Sequence, residues 1–583
     1  MNMRCLVIGF VCCLLCTAVA AQGFLKARGQ HIVDSTGKEI ILRGFGLGGW
    51  MLQEPYMLQL SGVAATQGDI KRKIRGLIGA EKTEAFYNAW LANHTTQSDI
   101  DSMAAWGFNS VRLPMHYNLY TLPVEEEPVP GQQTWLPKGF ELTDSLLSWC
   151  KSAGLYLILD LHAAPGGQGS DIAISDRDTT KPSLWQSKAA QQKTIALWQK
   201  LAERYKDEPA IGAYDLINEP NWGFTNPQDK NGLQEKENGP LRQLMVDITK
   251  AIRAVDTSHI IIIEGNGWGN NYNGIFPLWD RNLVVSFHKY WNYNSQESIQ
   301  HFLNIRHEHN VPIWMGESGE NSNVWFTDAI TLLERNSIGW AWWPLKKLGF
   351  NNPLQVKSNK GYEQLITYWR DGGQKPAEAD AYNALMQLAN DTKTENNIYH
   401  KDVVDAMIRQ PHTTTSKGFS DVFITQTPMV YAVNYDLGRN GYAYWDKDTA
   451  NYRVSTGQNI AWNKGRVYRN DGVDIEVCTD SFSNGFCVSS IEDGEWLQYT
   501  VHAEKEGTYN IRLRTKTDDA KGKIQLQLNN QNIGLETAVN KNNGWQNTDV
   551  KNISISKGTH QIKVRAVQGG FSLASLQFSQ VKK

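Results

Sequence analysis

The chain has 583 residues, too many for one compact core, so at least two domains are expected. Its 58 Lys and Arg nearly balance 60 Asp and Glu, for a net charge of -2, which argues against a nucleic-acid binder with its basic excess or stripe. The 41% hydrophobic content is that of an ordinary globular protein, but 21 tryptophans are many, and their flat apolar faces suit the C–H faces of sugar rings.

From the N-terminus, Met1-Asn-Met-Arg4 precedes an apolar stretch from Cys5 to Ala20 that closes in Ala18-Val-Ala-Ala21. A basic start, a short apolar run and a small-x-small site predict a signal peptide over residues 1–21, and hence a secreted or periplasmic protein. A lipoprotein signal centred on Cys16 fits less well, because Leu15 stands where a small residue is wanted. No later stretch reaches a transmembrane length, so no membrane span is expected. Four of the seven cysteines leave with the signal. Cys478 and Cys487 are placed to close a short loop in an oxidising compartment, and Cys150 reads as a buried apolar thiol. No Cys/His spacing matches a zinc site, and His307 and His309 read as part of a solvated helix face, so no metal is expected.

Between about Gln30 and Leu388, short apolar runs alternate with amphipathic helical stretches such as Leu142–Ala153, Ala189–Tyr205 and Gly239–Val255. The runs are Ile40–Phe45, Ser110–Pro114, Tyr156–His162, Ala210–Asn218, Ile260–Gly265, Leu283–Tyr290, Pro312–Glu317 and Ile338–Trp343. Most are nearly continuous hydrophobic stretches, as a strand buried on both faces requires. Eight such strands alternating with helices predict an α/β fold, a (β/α)8 TIM barrel, over residues 22–395. A doubly wound open sheet is the alternative, but no Gly-rich phosphate turn follows the first run. Residues 396–423, with Gln410-Pro-His-Thr-Thr-Thr-Ser-Lys-Gly418, read as a linker. Short alternating runs, Trp496–Val501, Thr508–Lys516, Ile524–Leu528 and Gln561–Ala566, then predict an all-β sandwich (jelly-roll) domain over 424–583.

In a (β/α)8 barrel the chemistry sits where strands end at the C-terminal face. The second run ends in Arg112-Leu-Pro-Met-His116, the third in Asp160-Leu-His162, and the fourth in Asn218-Glu219-Pro220. The sixth ends in His288-Lys-Tyr290, the seventh in Gly316-Glu317-Ser318, and the eighth in Trp342-Trp343-Pro344. Strands four and seven lie on opposite sides of such a barrel, so Glu219 and Glu317 can face each other across its mouth. Paired carboxylates so placed suit glycoside hydrolysis, one protonating the leaving oxygen and one attacking the anomeric carbon. Taken singly, Glu219 could be a helix-start acid and Glu317 a turn residue; both together, among the other polar strand ends, point to catalysis.

These pieces resemble glycoside hydrolase family 5 over residues of about 30 to 390: Arg112 in Ser-Val-Arg-Leu-Pro, His162 in Leu-Asp-Leu-His, Asn218-Glu219-Pro220, His288-Lys-Tyr290, Glu317 in Trp-Met-Gly-Glu-Ser, and Trp343. The resemblance implies that Glu219 is the acid/base and Glu317 the nucleophile, with Arg112 and Tyr290 keeping Glu317 ionised. It implies that Asn218 bonds the sugar 2-hydroxyl, that His162 and His288 contact the same sugar or its neighbours, and that Trp343 is the floor beneath it. No metal or organic cofactor is implied. Arg43-Gly-Phe-Gly-Leu-Gly-Gly-Trp50-Met-Leu-Gln-Glu54-Pro-Tyr56 is similar to the opening of the exo-β-1,3-glucanases of that family, in which the equivalent of Glu54 lines a pocket gripping the non-reducing end. The implied substrate is a β-1,3-glucan cut from its end. An endo-acting cleft for β-1,4- or mixed-linkage glucan is the alternative, since Gly319-Glu320 departs from the subgroup, where a Phe is expected.

The C-terminal region resembles carbohydrate-binding module family 6 in Tyr468-Arg-Asn-Asp-Gly-Val-Asp-Ile-Glu476, Gly494-Glu-Trp-Leu-Gln-Tyr499, Gly507-Thr-Tyr-Asn-Ile-Arg-Leu-Arg514, Gly544-Trp545-Gln546 and Lys557-Gly-Thr-His560. The resemblance implies a sugar clasped between Tyr444 and Trp545, with Ser572 standing where an Asn usually completes the contact, and it allows a structural calcium. Trp496 and Tyr499 read as core. Two rival readings remain, a non-catalytic polysaccharide-binding surface protein and a transglycosylase using the same covalent intermediate. The expected protein is a monomer whose partner is β-glucan polysaccharide.

Overall fold

The computed structural model describes residues 22–425, 429–451, 462–517, 522–541 and 544–581. The expected signal peptide, residues 1–21, lies outside them. Eight parallel strands close a barrel: β1 (Arg43–Gly46), β2 (Ser110–His116), β3 (Tyr156–Ala163), β4 (Ile211–Asp215), β5 (Ile260–Glu264), β6 (Leu283–Lys289), β7 (Ile313–Ser318) and β8 (Gly339–Trp342). They follow one another around the barrel in chain order, and β8 pairs with β1 through Trp340↔Arg43 and Trp342↔Phe45. Each apolar run anticipated from the sequence overlaps one of them.

The period-2 alternation of a strand sorts its residues between two cores. In β5, Ile260 and Ile262 join Ile158, Ala213, Val284 and Trp314 inside the barrel, whereas Ile261 and Ile263 join the larger core beneath the helices. An N-terminal hairpin, Lys26–Arg28 with His31–Val33, closes the lower end with Leu25 and Ile32. Outside, the helix Gly239–Arg253 has Pro240 in its first turn and buries Leu241, Leu244, Met245, Ile248 and Ile252, a three-and-four spacing that puts one stripe on the barrel. Each such side chain contributes about 1.5–3 kcal/mol on burial.

The anticipated linker is shorter than residues 396–423. Ile398–Tyr399 adds a strand to a small sheet at Leu354–Gln355, and the helix Lys401–Ile408 buries Val403, Val404 and Met407 in the barrel's outer core. The Thr-rich segment drew attention to a break, but the apolar side chains just before it belong to the barrel domain.

The C-terminal domain is a sandwich of two antiparallel sheets. One contains Ile475–Val477, Phe486–Ile491, Gly507–Lys516, Gln546–Ile555 and Phe571–Gln580, with Met429–Tyr431 at its side. The other contains Tyr444–Trp445, Trp496–Ala503, Gly522–Leu528, Gln531–Val539 and Gly558–Gln568. Val422 and Ile424 already belong to its core, so the domain begins within the anticipated linker. Cys478 and Cys487 are neighbouring buried thiols and not a disulfide, while Cys150 is the buried thiol expected. Among the described residues no helix is long and apolar enough to cross a membrane. His309 lies over Phe276, with ring centroids 3.8 Å apart, so that end of its helix is packed and not simply solvated.

Candidate active site

At the upper end of the barrel the inward positions of the strands change from apolar to charged. Arg112 on β2, Asp160 on β3, Asp215 on β4 and Glu264 on β5 have fully buried side chains. Arg112 serves them all: its guanidinium lies 3.2 Å from Asp160, 2.9 Å from Asp215, 3.1 Å from Glu264 and 3.0 Å from Glu317 on β7. Burial would lower its pKa, but these four carboxylates raise it well above the usual guanidinium value, so it stays charged. Burial pushes Asp160 and Asp215 up; Glu264, which burial would also raise, is held at about 2 by His288 and Arg112.

Above this belt stand the two expected glutamates. Arg112 Nη1 donates to Glu317 Oε2 at 3.0 Å, and the Tyr290 hydroxyl donates to Glu317 Oε1 at 2.8 Å. Two donors to one carboxylate favour its charged form. His288 Nδ1 lies 2.6 Å from Glu219 Oε1, and its Nε2 lies 3.3 Å from Glu264. Burial disfavours a charged His288, yet Glu264, Glu317 and Glu219 raise it well above its usual value, so an imidazolium is held between acids. An oxygen of Glu219 and one of Glu317 lie within 4.8 Å of each other and of His288. Burial first, and Glu219 second, raise Glu317 above its ordinary value.

His162 Nδ1 lies 2.8 Å from Asp160, and its Nε2 lies 3.2 Å from the Asn218 amide. Burial lowers it to about 3, so it is neutral, donating to Asp160 and accepting from Asn218. Asn218 Oδ1 also accepts from Arg112, and the residue is fully buried beneath the cleft. The Trp343 ring stacks on His162, with centroids 4.9 Å apart and planes 4° apart, and donates to the Tyr56 hydroxyl at 3.0 Å. A Cβ on Gly46 or Gly48 would fall 2.5 or 2.7 Å from that ring, the physical reason for glycine at both places. Trp343 is only 4% exposed, so the structure packs most of the expected floor and offers little open face to a sugar.

The cleft above has a volume of about 840 Å³. Of the expected residues it brings together Glu54, His162, Glu219, His288, Tyr290, Glu317 and Trp343, while Arg112 and Asn218 support them from below. Burial, then Glu317 and Glu219, raise Glu54 well above the carboxylate range. Sequence reasoning missed Tyr56, Asp171, Trp268, Trp291 and Glu320 in its lining. Trp291 is 54% exposed, and with the half-buried Trp268 it supplies the open aromatic faces that Trp343 does not. Glu219, Trp268, Trp291 and Glu320 all have positive φ, and such strained positions gather at functional sites. Gly267-Trp268-Gly269 was the readable signal, a large residue among glycines shortly after a strand.

Residues 70–349 match the family description Cellulase (glycosyl hydrolase family 5). The barrel belongs to glycosyl hydrolase family 5. The protein is therefore a glycoside hydrolase, and residues 466–580 match the carbohydrate binding module of family 6. The chain is 28% identical over 386 residues to a beta-xylosidase of Phanerodontia chrysosporium, covering 60% of this chain and 76% of that one. It is 28% identical over 276 residues to a probable glucan 1,3-beta-glucosidase A of Aspergillus niger, covering 47% of this chain and 61% of that one. Endoglucanase C of Acetivibrio thermocellus is 26% identical over 317 residues, covering 44% and 85%.

In the family 6 module, Tyr444 is 1% exposed and belongs to the sandwich core, so its ring cannot clasp a sugar. Its neighbour Trp445, 42% exposed, shares a hollow of about 280 Å³ with Trp496, Gln527, Lys563 and Arg565. Trp496, expected in the core, instead lines this hollow with Lys563 Nζ 3.8 Å from its ring centroid; Tyr499 is core as expected. Trp545 is half-buried against Cys478, Cys487 and Ala574. Among the described residues, the one group of three His, Cys, Asp or Glu with ligand atoms close together is Glu219, His288 and Glu317.

Proposed function

We propose that this family 5 enzyme is an exported, retaining β-glucan hydrolase that works by double displacement and removes glucose from the end of a β-1,3-glucan. The approach of Glu219 and Glu317 carries the mechanism. Oxygens within 4.8 Å are in keeping with the carboxyl separation of about 5–5.5 Å in retaining enzymes and fall short of the about 6.5–9.5 Å of inverting ones. Glu317, held by Arg112 and Tyr290, attacks the anomeric carbon as Glu219 passes its proton to the departing glycosidic oxygen. Glu219 then takes a proton from water, whose oxygen displaces Glu317 and restores the original configuration.

Five acidic side chains, Glu54, Asp171, Glu219, Glu317 and Glu320, line the cleft. Those that are charged accept hydrogen bonds from neutral sugar hydroxyls and repel a uronic acid, which supports a neutral glycan. Glu54, set deep in the wall beside the catalytic pair, supports recognition of a chain end; the glucan 1,3-beta-glucosidases among the relatives agree. The exposed Trp291 at the rim, and relatives named endoglucanase, favour the second reading, internal cleavage of β-1,4- or mixed-linkage glucan. In the module, Trp445, Trp496 and Trp545 are the aromatic groups offered to polysaccharide. Purified protein incubated with laminarin, carboxymethyl cellulose, mixed-linkage glucan and mannan, with products resolved by size, tests the proposal. Glucose alone and early from laminarin is expected; an oligosaccharide ladder would replace the exo reading by the endo one, and no product from any of them would overturn both.

A further inference from the structure

The Gly319-Glu320 segment, which departs from the exo-glucanase pattern, has a partner in the other domain. Three residues after the nucleophile, Glu320 adopts a left-handed φ of 53°, a conformation that L side chains other than Asn and Asp seldom take. Such strain persists where the surroundings over-determine it. On the N-terminal side the segment is tied to the barrel: Ser318 O accepts from Trp343 N at 2.6 Å, and Gly319 bridges Trp343. On the C-terminal side it is tied to the module. Asn470, from the Tyr-Arg-Asn-Asp-Gly motif, donates through Nδ2 to Asn321 O at 2.9 Å and Asn323 Oδ1 at 3.0 Å. Asn470 O accepts from Asn323 N at 2.7 Å. The Asp402 carboxylate closes the network, accepting from Asn323 Nδ2 at 2.7 Å and Asn470 N at 2.9 Å. Ser322 Oγ donates to Ala450 O, also in the module. Asn321, Ser322 and Asn470 are fully buried, so water cannot substitute for these bonds.

Held from both sides, Glu320 lines the cleft, where Lys347 Nζ pairs with its carboxylate. Lys347 also lies 5.5 Å from the Tyr56 ring centroid, and Tyr56 is the acceptor of Trp343 Nε1. Glu320 therefore stands at the Tyr56–Trp343 wall, a carboxylate pre-set by one cation with oxygen lone pairs left for sugar hydroxyls.

We propose that the family 6 module is a working part of the catalytic cleft: Asn470 is a positioning residue that holds Glu320 where it binds the hydroxyls of a neutral sugar. This rests on the glycosidase reading above and adds the residue that selects the sugar. The module acts here through its docking loop and not only through capture of polysaccharide.

The test is a double-mutant cycle in the full-length protein, Asn470→Ala, Glu320→Gln and both, with kcat and KM measured on whichever aryl β-glycoside of a glucoside, xyloside and galactoside set the wild type turns over. Asn470→Ala keeps the backbone contacts, and KM is expected to rise about tenfold with kcat nearly unchanged, the scale of coupling between groups in contact. In the Glu320→Gln background the same change should add little. A KM for Asn470→Ala equal to wild type, or an equal further loss without Glu320, would overturn the proposal; a purely structural role would lower active fraction and Tm alike in both backgrounds. If Asn470→Ala does not fold, Asn323→Ala breaks the same network from the barrel side. Hydrogen exchange over residues 318–324 gives a readout needing no substrate: about tenfold faster exchange in Asn470→Ala is expected, and unchanged protection would sink the idea. Wild-type inactivity on every glycoside, with the loop loosened as expected, would count against the substrate reading and not against the positioning role.

Discussion

At the scale of single residues, the two glutamates differ in their partners, and the difference supports the roles proposed for them. Glu317 receives Arg112 and Tyr290, whereas among the described residues the side chain bonded to the Glu219 carboxyl is His288. Glu317→Ala is expected to cut kcat on polysaccharide by about 10⁴–10⁶-fold, the scale for losing a nucleophile. Azide should rescue it and give the inverted glycosyl azide, seen by NMR. Glu219→Ala should spare aryl glycosides with good leaving groups and be rescued by azide with retention. Full polysaccharide activity in either variant would refute the assignment. Burial and Glu219 raise Glu317 above its ordinary value. The nucleophile works ionised, so activity climbs as pH rises through its pKa, and the acid limb of kcat/KM should lie above the ordinary glutamate range. Glu219→Gln removes the second cause. On an activated aryl glycoside its acid limb should then move to lower pH, and a limb that stays in place would show that repulsion between the pair is not what raises Glu317.

At the scale of elements, the strand ends determine what the cleft can do. The loop after β1 passes so near Trp343 that a Cβ at Gly48 would lie 2.7 Å from its Cζ2. Gly48→Ala must push the indole or the loop aside. A displacement of that size at a positioned group costs up to about 10²-fold in rate. We expect kcat/KM to fall by about tenfold or more with the fold retained by circular dichroism; unchanged kinetics would mean that Trp343 is not needed in its present place. The inward acids show a second property of the elements. Asp215 and Glu264 each end an apolar strand at an inward position, so a barrel interior that is otherwise hydrophobic turns ionic in one layer. Arg112 makes that layer affordable, because removing one partner of a buried ionic cluster strands the others.

At the scale of the molecule, barrel and module are joined by buried polar contacts as well as by chain. Arg439 of the module donates to Gln410 O and Thr331 Oγ1, and Arg409 donates to Leu437 O. With the Asn470 network, these are expected to couple the unfolding of the two domains. Met407 is fully buried on the helix Lys401–Ile408, between the barrel and this junction. Met407→Ala should cost about 2–5 kcal/mol. In calorimetry it should lower the unfolding of both domains together, whereas a module transition that stays put while the barrel's falls would show that the domains unfold independently.

What the sequence determined by itself were the features written locally. Eight apolar runs specified eight strands, and Glu219 and Glu317 were legible because a residue's place at a strand end depends on its neighbours in the chain. Tertiary structure decided what depends on phase and distant pairing. A two-residue strand, Tyr444–Trp445, has no alternation from which to tell its inner face from its outer one, so the buried tyrosine and the exposed tryptophan were exchanged. Asp215 and Glu264 were indistinguishable from surface acids until the closed barrel turned them onto Arg112. Glu320 acquired its place from Asn470, whose amide bonds a carbonyl 149 positions away, a contact that no periodicity encodes and that only the docking of two separately patterned domains creates.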